Sequence, residues 1–192
     1  MSRFSHWAEK ERSARVHVIT LLLLAPLFLL ALPWLVAGGG RRADGRLGLP
    51  RLYFGAVNYI LGGLLGAAGM GIAQWAIYQQ VTRGRGTPLP VLPTQELLTQ
   101  GPFRYCRNPM TLGTILAYLG VAIAAGTISG AGLVVFLSAL LILYLKRVEE
   151  RELAERFGEP YLRYKQEVPF LIPRLINKEN TATKEPGATH ER

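Results

Sequence analysis

Residues 108–145 read NPMTLGTILAYLGVAIAAGTISGAGLVVFLSALLILYL and contain no charged side chain. Two charged segments bracket this run, a basic one at 104–107 and a mixed one at 146–151. The hydrocarbon layer of a bilayer is about 30 Å thick, and a helix needs roughly 20 apolar residues to cross it. The run is long enough for two crossings, with a break at 126–130. It therefore predicts a membrane hairpin whose charged ends return to one membrane surface.

Two further stretches are apolar over a similar length. Residues 16–37 carry no charge apart from a possible one on His17, and residues 52–82 carry none. The chain is 49% hydrophobic with a formal net charge of +9, which does not suit an ordinary soluble domain. We predict an all-α, polytopic membrane protein with a cytoplasmic C-terminal helical extension and about four transmembrane helices, at 16–37, 52–79, 109–126 and 129–146.

The remaining segments are short. Residues 1–15 mix charges with Phe4 and Trp7, as an interfacial arm would, although a solvated lead-in is the preferred interpretation of these residues. Residues 16–176 form one membrane domain, and the polar residues 177–192 are expected to be a disordered tail. The first apolar core is longer than that of a signal peptide, although cleavage after small residues near position 37 is the alternative.

Lysine and arginine accumulate in the arm and in the segments 83–107 and 146–174. The positive-inside rule therefore places these segments in the cytoplasm, and we expect a bacterial inner membrane. The loop 38–51 would then lie outside, contrary to the rule, with Arg41, Arg42, Arg46 and Arg51 against a single Asp44. The charge is juxtamembrane and fits anionic lipid, so we expect no nucleic-acid partner. The three histidines lack metal-ligand spacing, and we expect no metal site.

Several short motifs follow one another in a distinctive order between residues 98 and 173. They are Leu-Thr-x-Gly-Pro-Phe-Arg-Tyr-x-Arg-Asn-Pro-Met-x-x-Gly, the apolar hairpin, Arg-Val-Glu-Glu-x-x-Leu, Phe-Gly-x-x-Tyr-x-x-Tyr and Val-Pro-x-x-Ile-Pro. In this order they resemble the isoprenylcysteine carboxyl methyltransferase family and its phospholipid N-methyltransferase relatives. The resemblance covers the C-terminal part of the membrane domain, whereas the first two apolar helices are generic.

The resemblance implies that the two blocks flanking the hairpin bind S-adenosylmethionine at the cytoplasmic membrane surface. The cofactor-binding part is then 94–173, and the acidic residue that holds the cofactor falls on Glu149. Carried over by position, the implied cofactor-binding residues are Gln95, Leu97, Leu98, Phe103, Asn108, Pro109, Met110, Thr111, Glu149 and Glu150.

The residue chemistry agrees with this cofactor. A carboxylate such as Glu149 can accept a hydrogen bond from the cofactor ammonium. Arg104 or Arg107 can bind its carboxylate, and Phe103 or Tyr105 can face the sulfonium or the adenine. Methyl transfer depends mainly on holding the reactants in line, so we expect no catalytic triad and assign no catalytic residue. The alternative is that the arginines anchor lipid headgroups and the glutamates form a solvated helix face.

The sequence departs from the family pattern at three positions. The usual Arg-His-Pro-x-Tyr has Asn108 and Thr111 here, which removes a titrating imidazole and an aromatic wall. A substrate-contacting arginine of the prenylcysteine enzymes falls on Leu145. The adjacent Lys146 and Arg147 are the candidate substrate-binding residues. The missing arginine puts prenylcysteine in doubt as the substrate.

The predicted function is methyl transfer from S-adenosylmethionine to a carboxylate or amine of a lipid-like or prenylated small acceptor. This amphipathic acceptor would enter from the membrane lipid. One alternative is a non-enzymatic membrane interaction protein derived from the family, which the missing histidine and tyrosine favour. The other is a nicotinamide-dependent membrane reductase. The oligomeric state stays open.

Overall fold

The computed structural model describes residues 27–83 and 96–173. In these parts the regular elements are all helical, as the sequence predicts, and none is a strand. Helix α1 consists of the consecutive pieces Leu27–Ala31, Leu32–Trp34, Leu35–Gly39 and Gly40–Leu47. It is followed by α2 (Ala56–Thr82), a 3₁₀ turn (Gly101–Arg104), α3 (Pro109–Ala125), α4 (Ile128–Phe157) and α5 (Glu159–Glu167). The predicted arm 1–15 and tail 177–192 lie outside the described residues.

Two of these helices, α2 and α4, are long and apolar enough to cross a membrane. Helix α3 is apolar but has 17 residues, and the first predicted span lies partly outside the described residues. Four crossings therefore stay a prediction. The apolar part of α4 ends at Leu145, and the helix continues as a charged segment to Phe157. This continuation confirms the predicted helical extension.

The predicted loop 38–51 is wrong over most of its length, because α1 continues through it to Leu47. Gly39 and Gly40 keep helical dihedral angles, and Gly40 packs closely against another helix. A Cβ on Gly40 would lie 2.8 Å from the Cα of Gly130 in α4. The helix ends at Gly48, whose φ of +66° suits glycine.

Helices α2 and α3 pack with their backbones in direct contact. A Cβ on Gly62 would lie 2.5 Å from the carbonyl oxygen of Gly120, and one on Gly69 would lie 2.5 Å from that of Gly113. Small residues at four-residue and seven-residue spacing permit this approach in membrane helices. Gly62 and Gly69 of α2 thus serve helix packing. Gly63, in contrast, has open space at its Cβ position.

The turn of the hairpin between α3 and α4 is capped by polar groups. Thr127 is the N-cap of α4, and its hydroxyl accepts a hydrogen bond from the Gly130 N–H at 3.1 Å. Asp44 of α1 accepts further bonds from the N–H groups of Ser129, at 2.8 Å, and Ile128, at 3.2 Å. A carboxylate at a helix N-terminus satisfies free N–H groups and the helix dipole.

The same turn explains part of the charge that contradicts the positive-inside rule. Arg41 donates through Nε to the carbonyl of Ala125, the last residue of α3, at 3.0 Å. Asn58 of α2 donates to the carbonyl of Ile123 at 2.7 Å. Arg41 and Asp44 thus complete the hairpin turn. The charges of this segment therefore have a structural role in addition to any effect on membrane orientation. This end of the bundle is hereafter the hairpin end.

Candidate functional site

A cavity lies at the opposite end of the bundle, between the end of α2, the segment before α3, the charged part of α4 and α5. The empty space between its lining side chains, open solvent included, is about 550 Å³, of which the centre of a water molecule can occupy about 70 Å³. The lining residues are Gln80, Leu97, Leu98, Phe103, Arg107, Asn108, Leu145, Glu149, Glu150, Leu153, Phe157, Tyr161 and Tyr164.

The hairpin brings the two flanking segments together, as the sequence predicts, because Asn108 and Glu149 line this one cavity. Seven of the predicted site residues are in the lining, namely Leu97, Leu98, Phe103, Arg107, Asn108, Glu149 and Glu150. Gln95 lies outside the described residues. Six predicted residues lie outside the lining, namely Arg104, Pro109, Met110, Thr111, Lys146 and Arg147.

Arg107 is held by bonds to three other parts of the chain. Its Nη2 lies 2.5 Å from Oε1 of Glu150, and its Nη1 donates to the carbonyl of Lys165 at 2.6 Å. Its own N–H donates to the carbonyl of Pro169 at 2.9 Å. The Nε atom is buried and has no hydrogen-bond partner among the described residues. The buried Nε–H of Arg107 is therefore available to a ligand.

The adjacent glutamates Glu149 and Glu150 have different roles. Glu150 is buried, and its carboxylate bridges Arg107 and Lys165, whose Nζ lies 2.8 Å from Oε2. Within the described parts of the chain, Glu149 has no hydrogen bond or ion pair. Burial raises the pKa of Glu149, and the neighbouring carboxylates of Glu152 and Glu150 raise it further. Of this pair, only Glu149 offers an uncommitted carboxylate to the cavity.

The helix is wound more widely where α4 lines the cavity. The piece Leu145–Glu149 is a π-helix, and its first and last residues both belong to the lining. Such widened turns occur often at functional sites. This turn lies where the apolar part of α4 meets its charged part. It therefore places the apolar side chain of Leu145 and the carboxylate of Glu149 in the same cavity lining.

Segment 168–173 is hydrogen-bonded to two residues that line the cavity, Arg107 and Asn108. The backbone N–H and the side-chain Nδ2 of Asn108 both donate to the carbonyl of Phe170 at 3.2 Å. The Phe170 ring lies beneath the Lys146 ammonium, 5.0 Å from its centroid. Asn108, which replaces the usual histidine, thus anchors this segment while it lines the cavity.

Four aromatic side chains line the cavity although Thr111 replaces the usual tyrosine. They are Phe103, Phe157, Tyr161 and Tyr164. The Tyr164 hydroxyl donates to the carbonyl of Phe103 at 2.7 Å. Burial, followed by the charge of Glu150, raises the pKa of Tyr161 to about 12, so its hydroxyl stays neutral. The aromatic wall therefore comes from other residues, and Thr111 is buried outside the lining.

The motifs do not predict six of the lining residues as ligand contacts. The i,i+3 spacing of Tyr161 and Tyr164 places both on one face of α5, and this spacing is a signal that could have identified them. For Gln80, the signal is a polar side chain at the end of an uncharged apolar helix. The six are Gln80, Leu145, Leu153, Phe157, Tyr161 and Tyr164.

Comparison with known protein families shows to which family the chain is related. The sequence model of the family described as "Phospholipid methyltransferase" matches residues 57–160. This range covers more than half of the chain, including every cavity-lining residue from Gln80 to Phe157. The chain belongs to the phospholipid methyltransferase family. The resemblance indicated by the motifs is thereby confirmed.

Two curated proteins match shorter parts of this phospholipid methyltransferase family member. Methanethiol S-methyltransferase 2 of Bradyrhizobium diazoefficiens is 34% identical over 80 residues, which is 41% of this chain and 29% of the relative. Cobalt-zinc-cadmium resistance protein CzcN of Cupriavidus metallidurans is 30% identical over 79 residues, 41% of this chain and 36% of the relative. The aligned part thus spans about a third of the length of these relatives. No solved structure matches.

Membership of this family and the apolar helices together associate the chain with membranes and with methyl transfer. The family resemblance does not by itself select a cofactor or an acceptor for this chain. Those assignments depend on the chemistry of the cavity.

Proposed function

We propose that this protein is an integral membrane methyltransferase that binds S-adenosylmethionine at the cavity between α2, α4 and α5. The observation that carries the proposal is the pair of uncommitted groups in the lining, the Glu149 carboxylate and the buried Nε–H of Arg107. One accepts hydrogen bonds and the other donates them, as a bound amino acid requires for its ammonium and its carboxylate.

The size of the cavity fits this assignment in part. The space that the centre of a water molecule can occupy is about 70 Å³, enough for a small polar group. We place the amino-acid end of the cofactor there, beside Glu149, and the larger nucleoside in the solvent-facing space that the empty volume of about 550 Å³ includes.

S-adenosylmethionine, when bound, supplies an electrophilic methyl group attached to a sulfonium. Glu149 would accept hydrogen bonds from the ammonium, and Arg107 would donate through Nε to the carboxylate. Phe103 offers a π-face to a positive centre. Leu98 and Leu145 provide apolar walls that keep water away from the reacting atoms. The neutral Tyr161 hydroxyl is not a base, which agrees with a reaction governed by orientation.

The proposed acceptor is a carboxylate or amine on a lipid-like or prenylated small molecule. The apolar faces of α2 and α4 are exposed along their length, so lipid would surround the site. Lys146 and Arg147 are exposed outside the cavity lining, where they could attract an anionic group of the acceptor. We keep both as proposed substrate contacts.

A thiol is the second candidate acceptor. Its support is the similarity of this chain to methanethiol S-methyltransferase 2, which is 34% identical over 80 residues. The chemistry differs little, because a thiolate also attacks the sulfonium methyl carbon in line. A small thiol would make little use of Lys146 and Arg147.

The proposed arrangement is multi-pass, with four crossings in a bacterial inner membrane and the cavity facing the cytoplasm. Its support is the density of lysine and arginine in segments 83–107 and 146–174, whose described residues 96–107 and 146–173 meet at the cavity end. At the hairpin end, Arg41 is bonded to the end of α3, and Arg42 lies 5.3 Å from the centroid of the Trp34 ring. These contacts give Arg41 and Arg42, two of the four arginines that contradict the rule, a structural role.

Equilibrium binding to the detergent-purified full chain tests the proposal. Binding of S-adenosylmethionine without binding of NADPH is the expected result. Binding of NADPH alone would support the reductase alternative, and binding of neither would support an interaction protein. Mass spectrometry of membranes fed a labelled methyl donor then identifies the acceptor. A labelled lipid-like product would indicate the carboxylate or amine acceptor, and a labelled small thioether would indicate the thiol.

A further inference from the structure

Gln80 is a polar residue on the last turns of α2, and the motifs assign it no role. Its side chain lines the cavity, and its Oε1 is buried without a hydrogen-bond partner among the residues that the structure describes. A buried amide oxygen without a donor is costly and is found in native proteins where a ligand or water supplies the donor.

The neighbouring residue Gln79 has a packing role, which contrasts with the position of Gln80. A Cβ on Gly101 would lie 2.9 Å from Nε2 of Gln79, so this side chain covers the start of the 3₁₀ turn. Gln79 does not line the cavity, although its Oε1 also lacks a partner among the described residues. The free oxygen of Gln80, in contrast, belongs to a side chain of the cavity lining.

Three polar groups of the lining thus differ in character. Glu149 is an anionic acceptor, the Nε–H of Arg107 is a cationic donor, and Gln80 contributes a neutral acceptor. The first two suit the charged ends of an amino acid. A neutral amide oxygen suits a neutral N–H or O–H donor, because such a bond requires no charge compensation.

We propose that Gln80 is a cofactor-binding residue whose Oε1 accepts a hydrogen bond from the nucleoside part of S-adenosylmethionine. This inference rests on the proposed function. The donor is either a ribose hydroxyl or the exocyclic amine of adenine, which share the same chemistry toward an amide oxygen. The contact would tie α2 to a site that the sequence places entirely in the C-terminal half of the chain.

Calorimetric titration of the detergent-purified full chain with S-adenosylhomocysteine tests this assignment. Gln80→Met keeps the length of the side chain but removes the amide oxygen. It should weaken binding about tenfold, the factor expected when one hydrogen bond is lost. Gln80→Glu, which keeps an acceptor, should bind more tightly than Gln80→Met. The matched control is Gln74→Met on the same helix, where the side chain is exposed, and its affinity should equal that of the wild type.

Ligand analogues identify the donor and exclude an indirect effect. Analogues without the ribose 2′-hydroxyl, the 3′-hydroxyl or the adenine amine are titrated into the wild type and Gln80→Met. One of them should bind equally to both proteins, because it lacks the group that Gln80 contacts. An equal loss for every analogue, or no loss for any ligand, would overturn the assignment. If the wild type binds no S-adenosylhomocysteine, the proposed function itself fails. Gln80→Asn repeats the series if Gln80→Met does not fold.

Discussion

The Nη2 atom of Arg107 and the Oε1 atom of Glu150 lie 2.5 Å apart, although 43 residues separate them in the chain. The segments that carry them flank the apolar hairpin, so this ion pair closes the hairpin at its charged end. The two side chains are 10% and 9% exposed, which makes the pair largely buried. Removal of Glu150 would leave the largely buried charge of Arg107 without its carboxylate partner.

We therefore expect Glu150→Gln to destabilise the fold by about 3–5 kcal/mol, because breaking a buried pair leaves an uncompensated charge. Thermal unfolding in detergent measures the change. The control is Glu155→Gln, since Glu155 forms an ion pair with Arg151 whose side chains are 55% and 80% exposed. An exposed pair contributes at most about 1 kcal/mol. Equal unfolding temperatures for the two variants would contradict a structural role for Glu150.

Glu149→Gln should weaken ligand binding and leave stability unchanged, in contrast to the loss of stability expected for Glu150→Gln. It should weaken S-adenosylmethionine binding at least about tenfold, or about 1.4 kcal/mol, since a neutral amide loses the attraction to the ammonium. The fold should stay intact, because Glu149 makes no ion pair within the described parts of the chain. Titration and unfolding of the same sample test both statements. Unchanged affinity would remove Glu149 from the proposed site.

The pH dependence of binding follows from the pKa of Glu149, which burial and two neighbouring carboxylates raise above its ordinary value. Only the ionised carboxylate holds an ammonium, so affinity should fall as the pH drops through this raised pKa. The loss should begin at a higher pH than for an ordinary glutamate. Affinity measured across acidic to neutral pH checks this, and Glu149→Gln should remove that part of the dependence.

The same raised pKa has the opposite effect on the unliganded fold. The folded state holds the Glu149 proton more tightly than the unfolded chain does, so this group favours folding below its unfolded pKa. That contribution is lost as the pH rises through the folded pKa. Glu149→Gln should therefore be at least as stable as the wild type at neutral pH. A marked loss of stability would show that the carboxylate has a partner.

The glycines of α2 provide a test of helix packing. Gly62→Ala and Gly69→Ala each place a Cβ 2.5 Å from backbone oxygen atoms of α3, and we expect a loss of about 1–3 kcal/mol. Gly63→Ala and Gly71→Ala are matched controls, because nothing lies within 4 Å of the added atom. These controls should be neutral or slightly stabilising. Similar unfolding temperatures for all four variants would contradict the backbone contact.

Asp44 should stabilise the hairpin from the opposite end. Asp44→Ala removes two caps from α4, and we expect a loss of about 0.5–2 kcal/mol. Burial raises the pKa of Asp44, but hydrogen bonds from Ser129, Thr127 and Ile128 outweigh it and leave the pKa below its ordinary value. This contribution is present above the unfolded pKa and is lost as the pH falls through the folded pKa.

Unfolding measured at neutral and acidic pH tests the Asp44 prediction. The difference in stability between the wild type and Asp44→Ala should shrink at acidic pH. The matched control is Arg46→Ala, because Arg46 lies on the exposed side of α1 two residues further along, and this variant should change stability little. A constant difference at every pH would show that the Asp44 charge is irrelevant.

The apolar runs determine the membrane class by themselves, because hydrophobic length is a local property of the sequence. The uncharged run from residue 108 to 145, with its glycine-containing break, also determines the hairpin. A hairpin necessarily returns its flanking segments to one end, so the proximity of Asn108 and Glu149 follows from the sequence alone. The order of the motifs identifies the family for the same reason, since it is readable without any contact.

Only the tertiary structure distinguishes Glu149 from Glu150, two adjacent carboxylates with the same intrinsic chemistry. The position of Lys165 on α5 and of Arg107 before α3 commits Glu150 to an ion pair and leaves Glu149 to the cavity. Likewise, α1 continues past its glycines because Gly40 packs against α4. Gln80 reaches the cavity only through the packing of α2 against α3. Contacts between distant segments decide these features, and no local pattern of residues contains them.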